Sequence, residues 1–80
     1  MRWIFAMAEE TKEKYVYRYA RESDELDGVI EYSKEQKTVI MVKPCANDLG
    51  SEWCIEKAIG KFVSFVAGEG FPNTRKVITG

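Results

Sequence analysis

SEWCIEKAIGKFVSFVAG, Ser51 to Gly68, is the one long apolar stretch of the chain with a clear helical period. Ile55, Ala58, Ile59, Phe62 and Val66 recur at the spacing of a single helical face, and Cys54 and Phe65 widen that stripe. Lys57, Lys61 and Ser64 fall on a different line and read as the solvated side. Asp48 or Ser51 can cap the amino end, where the first amides have no partner within the helix. Glu52 and Glu56 follow, early enough for the helix dipole to favour their charge. Gly68 suits the left-handed residue that ends many helices, and Pro72 lies just beyond. The spacing therefore predicts a helix over about residues 50–67. Gly60 falls inside it, where glycine costs about 0.5–1 kcal/mol relative to alanine. A close approach to a strand or a second helix is the expected reason.

Upstream of this helix the period changes to two. Lys14–Arg21, KYVYRYAR, alternates Tyr15, Tyr17 and Tyr19 with Val16, Arg18 and Ala20, the pattern of a strand. Val29–Tyr32 is a short strand, and SKEQ, Ser33–Gln36, is a compact polar turn that makes the next strand its hairpin partner. That strand, Lys37–Lys43, holds Val39, Ile40, Met41 and Val42 in sequence, as in a strand covered on both faces or placed at the centre of a sheet. Pro44 ends it. Trp3–Ala8 fits two templates. As a strand it separates Trp3, Phe5 and Met7 from Ile4, Ala6 and Ala8, and as a helix it aligns Ile4, Met7, Ala8, Thr11 and Tyr15. The aromatics and Ile4 favour the strand. After Gly68, Val77 and Ile78 read as a brief edge strand or a docked tail.

These segments give an α+β fold in one domain. An antiparallel meander of three or four strands, near residues 3–8, 14–21, 29–32 and 37–43, carries one C-terminal helix on one face, in the order β-β-β-β-α. The 80 residues suit that size, because so short a chain buries only about 60% of the surface it exposes when unfolded. An apolar fraction of 45% argues against disorder. A formal net charge of −1 argues against a duplex DNA binder built on phosphate contacts. The charge is uneven, acidic between Glu9 and Glu35 and mildly basic from Gln36 onward. The run Trp3–Ala8 is too short for the apolar part of a signal peptide, and no stretch approaches a membrane span, so a cytoplasmic location and no membrane partner are expected.

The chemical motifs fail on inspection, and no catalytic, cofactor-binding or metal residue is assigned. SDELDG, Ser23–Gly28, crowds acids before a glycine, but registering Gly28 in a calcium loop puts Lys34 where a bidentate Glu is required. Cys45 and Cys54 are the only cysteines and histidine is absent, so one chain cannot supply the Cys and His of a four-ligand zinc site. Both thiols are expected to be reduced and unligated, with Cys54 the more buried. Without histidine there is no serine or cysteine triad, and no carboxylate pair lies in a visibly apolar setting. Gly68-Glu69-Gly70 follows the helix rather than opening it, so it is no phosphate cradle. The chain reads as non-enzymatic.

One feature suggests binding. A single helix leaves one sheet face to water. Trp3, Phe5, Tyr15, Tyr17 and Tyr19, with Arg18 and Arg21 close in sequence, would form an aromatic surface if that face carried them. Such a surface suits a protein partner or a second copy of the chain, and a small interaction or self-associating regulatory module is the function expected. The alternative is a nucleic-acid module that stacks bases on the same face. If the strands follow chain order, the sheet edges are Trp3–Ala8 and Lys37–Lys43. The first has no charge to block pairing and is the expected seam of a homodimer.

Overall fold

The computed structural model describes residues 1–80. Five strands and one long helix follow in the order β1 (Arg2–Glu10), β2 (Lys14–Arg21), β3 (Gly28–Ser33), β4 (Thr38–Lys43), α1 (Glu52–Glu69) and β5 (Lys76–Thr79), with a short 3-10 turn at Ala46–Asp48 before α1. The sheet is antiparallel throughout, with spatial order β4-β3-β2-β1-β5. Trp3–Ala8 is therefore strand. It runs on through Glu10, with the register slipping between Met7 and Glu9 so that Ala8 is the extra residue of a bulge. Thr11 turns the chain into β2, its hydroxyl accepting the amides of Glu13 and Lys14, each at 3.1 Å.

The fifth strand overturns one of the two expected edges and leaves the other in place. Val77 and Ile78 belong to β5, which pairs with β1, setting Ile78 opposite Trp3 and Val77 opposite Ile4. β1 thus has partners on both sides over Arg2–Phe5, and β5 occupies that part of the homodimer seam expected along Trp3–Ala8. β4 is the other edge, as chain order leads one to expect, and not the centre of the sheet that its apolar run suggested; Ile40 and Val42 are each 52% exposed. The run is apolar without being covered on both faces.

Register decides which residues form the core. Tyr17 lies opposite both Met7 and Ile30, Tyr15 opposite Tyr32, and Ile30 opposite Met41. Opposed residues in an antiparallel pair project to the same face. Trp3, Phe5, Tyr17, Tyr19 and Ile30 are fully buried there against Ala58, Phe62, Phe65 and Val66 of α1. Phe62 sits 5.6 Å from Phe5 and 5.2 Å from Tyr17 between ring centroids, and Phe65 sits 5.8 Å from Phe5. Each such aromatic pair adds about 0.5–1.5 kcal/mol beyond the area it buries.

The helix begins where Ser51 accepts the amide of Cys54 at 3.3 Å, so Ser51 is the cap and Asp48 is not. It passes through Gly68 and stops at Gly70, whose φ of 74° is left-handed and whose N–H reaches the Val66 carbonyl at 2.8 Å. The helix is not long and apolar enough to cross a membrane. Gly60 makes no close approach, for a Cβ there would meet nothing within 4 Å. Its lack of a side chain is not explained by packing. Gly28 is the glycine that is needed. A Cβ on it would lie 2.3 Å from the Tyr19 ring and 2.9 Å from the Cys45 amide nitrogen.

Two alanine substitutions should therefore move stability in opposite directions. Gly60→Ala should stabilise the protein by about 0.5–1 kcal/mol through the reduced freedom of the unfolded chain. Gly28→Ala should destabilise it by about 1–3 kcal/mol through overpacking. Urea denaturation of the two variants and the parent measures both.

Candidate functional site

The site follows from a mismatch of widths. Strands lie about 4.8 Å apart, so five of them span roughly 20 Å from the first axis to the last, while a helix with its side chains is only about 10–12 Å across. One helix over the middle of this sheet leaves a cleft along each flank. Toward β5, Lys61, Ser64, Phe65 and Glu69 face Lys76 and Ile78 across about 270 Å³, and a Lys76–Glu69 ion pair at 2.6 Å bridges that gap. Toward β4, a cleft of about 250 Å³ has Tyr32 and Val39 on the sheet side and Val63, Val66 and Ala67 on the helix side. Phe71 completes it, lying flat on Tyr15 with centroids 4.0 Å apart and tilted on Tyr32 at 4.7 Å. No ion pair crosses this second cleft, and Lys37 is the one charged residue in its lining.

Beside the apolar cleft runs the free edge of β4. A strand edge presents unpaired N–H and C=O groups, and proteins usually blunt it with charge, proline or a cover. Here Lys37 and Lys43 mark the two ends without an ion-pair partner, and between them Ile40 and Val42 stand exposed. On the helix side of the same edge Val63 is 44% exposed. Apolar surface thus lies on both faces of a six-residue strand with one unpaired side.

A second cluster is buried and polar. Asp48 has no exposed surface and accepts from Arg21 Nε at 2.7 Å and from the Tyr19 hydroxyl at 2.9 Å. The Tyr19 hydroxyl in turn accepts the Cys45 amide at 3.1 Å. Arg21 also donates to the Asn47 carbonyl, and the Asn47 side chain returns a bond to the Arg21 carbonyl. The cluster fastens the segment entering α1 to the end of β2. Burial pushes the Tyr19 hydroxyl well above the ordinary tyrosine value and likewise raises the Cys45 thiol. A raised thiol is the opposite of an activated nucleophile. Cys45 is the buried cysteine and Cys54 the half-buried one, contrary to the expectation from the helical stripe, and both are unpaired.

The aromatic surface expected from the sequence is not at the surface. Trp3, Phe5, Tyr17 and Tyr19 are fully buried beneath α1, because the helix covers the face that carries them. Tyr15 is half-buried between Phe71 and Tyr32, with Lys34 4.5 Å above its ring. Arg21 is held by Asp48, and only Arg18 stands exposed, on the opposite face. The basic residues near the chain end are also engaged, Arg75 with the Asp24 carbonyl and Lys76 with Glu69. In the SDELDG turn, Asp27 accepts the Ala46 amide and Ser23 accepts that of Glu25. No group of three or more His, Cys, Asp or Glu is placed to hold a metal. Comparison with protein-family models, with curated proteins and with solved structures finds no match.

The residues that sequence reasoning missed are Val63, Ala67 and Phe71, and the role of Asp48. Val63 and Ala67 lie just off the main apolar stripe, and that one-residue widening toward β4 was their only signal.

The polar cluster can be tested by stability. Arg21→Ala strands a buried carboxylate and should cost about 3–5 kcal/mol. Tyr19→Phe removes one hydroxyl and should cost about 1–3 kcal/mol. The same denaturation series run to alkaline pH adds a check. Burial lifts Tyr17 from the ordinary 10.0 to about 12. The folded state then holds this proton more tightly than the unfolded chain, so the contribution is complete below pH 10 and falls as pH rises toward 12.

Proposed function

We propose that this chain is a non-enzymatic, cytoplasmic interaction module that receives an extended segment of another protein, or of a second copy of the chain, along β4. The observation that carries the reading is the free, apolar-flanked edge of β4. Strand addition to an open edge gains affinity from main-chain hydrogen bonds and specificity from pockets for alternate side chains, and β4 offers both requirements side by side. The unpaired thiols suit a reducing compartment.

The partner is another protein or a second copy of this chain, since either can supply a strand to an open edge. The nucleic-acid reading loses its support, since the rings it needs for stacking lie under the helix.

Photo-crosslinking from the native cell tests the proposal. A benzophenone side chain placed in turn at positions 38, 40 and 42 should attach to one stretch of one partner. The attachment point should step by about two residues at each move, as strand pairing requires. Attachment mainly from position 56, on the exposed side of α1, or at unrelated points from the three β4 positions, would contradict it.

A further inference from the structure

The connection between β2 and β3 does more than turn the chain. We infer that residues 22–27 form a strap folded over the sheet face away from α1, covering Ile4 and Ala20, and that this strap opens while the rest of the fold stays closed.

Register places the strap. Trp3 and Phe5 face α1, so Arg2, Ile4 and Ala6 face the other way, and Ala20 and Val77, each directly opposite Ile4, share its side. No helix covers that side. Ile4 is nevertheless only 2% exposed and Ala20 1%, while Val77 stands 51% exposed. Asp24 shows what lies over the first two. Its carboxylate pairs with Arg2 Nη1 at 3.5 Å, and its carbonyl accepts from Arg75, the residue before β5, at 3.4 Å. A residue of the β2–β3 connection is thereby held by β1 and by the approach to β5, which brings the chain back across β1. Ile4 is two residues along β1 from Arg2, on the same face, beneath that crossing. Leu26 is the one large apolar residue of the connection, and it is half-buried.

The ends of the strap are fixed and its middle is not. Glu22 extends the β1–β2 ladder, its N–H donating to the Arg2 carbonyl at 2.8 Å and its carboxylate accepting the Arg2 amide. Its φ of 58° is left-handed, uncommon for a residue with a side chain, and it turns the chain out of β2. At the other end Asp27 accepts the Ala46 amide at 3.2 Å. Between these ends, the bonds of Ser23 and Glu25 stay within the strap, and the only polar ties to the rest of the molecule are the two at Asp24. The Asp24 side chain is 81% exposed. Exposed ion pairs contribute little and are screened by salt. A segment held so lightly opens locally, without global unfolding. Opening adds Ile4 and Ala20 to the exposed Val77 and bares an apolar patch that the closed strap hides.

Methyl NMR in the presence of a neutral, soluble gadolinium chelate tests the inference, because the chain supplies its own standards. Ile30 is fully buried and Ile40 is half exposed. In the parent protein at low salt the Ile4 methyl should be relaxed as little as that of Ile30. In Asp24→Ala/Arg75→Ala, which cuts both ties outside the core, Ile4 should lose that protection and approach Ile40, with Ile30 unchanged. Sodium chloride added to the parent should move Ile4 the same way, so the readout does not depend on a variant folding. Three results would overturn the inference: Ile4 as accessible as Ile40 in the parent at low salt, Ile4 still protected once both ties are cut, or Ile4 and Ile30 losing protection together.

Discussion

A carboxylate without exposed surface must be met by donors, and Asp48 is met by Arg21 and Tyr19. Breaking such a pair from one side costs several kcal/mol because the remaining charge stays buried. The bond therefore fixes the point at which the chain leaves the β4 edge, crosses to the end of β2 and starts its helix. Gly28 makes the crossing possible, since the Tyr19 ring and the Cys45 backbone occupy the space a side chain would take. With its start fixed and Phe62 and Phe65 seated on Phe5 and Tyr17, α1 lies over the middle of the sheet. Both flanks are left uncovered. The β5 flank is bridged by Lys76 and Glu69, and the β4 flank is left apolar and open.

Much of the fold was legible because it rests on local periodicity. The tyrosine alternation in β2 and the helical stripe in α1 each satisfy one period over two turns or more, and the structure has them as strand and helix. The errors arose where a long-range partner decides. β5 is only four residues long, and no local signal says that it joins β1 rather than β4. That single pairing encloses the expected edge over Arg2–Phe5. The helix stop is of the same kind on a smaller scale. Gly68 and Gly70 are both glycines, and only the observed φ of Gly70 distinguishes them.

The candidate site was less legible than the fold. The tyrosines attracted attention as a surface, but alternation gives two faces without saying which one the helix takes. Their burial is settled by Phe62 and Phe65, which pack edge-on against Tyr17 on that face. Asp48 read as a helix cap because Asp is common there, while its buried pairing with Arg21 joins residues 27 positions apart. Burial cannot be inferred from the short stretch CANDLG. The exposure of Val63, Ile40 and Val42 is a property of element widths and strand order together, which no single segment encodes.

The account turns on β4 being the open edge and β1 a strand enclosed over Arg2–Phe5. Amide hydrogen exchange of the free protein, followed residue by residue by NMR, tests that assignment most directly. Amides on both sides of β1 from Trp3 to Phe5 should be slow, because β2 and β5 hold them, and β4 from Thr38 to Met41, before its bulge at Val42, should alternate between slow and fast as every second N–H points outward. Alternating fast exchange from Trp3 to Phe5, with uniform protection from Thr38 to Met41, would contradict the account.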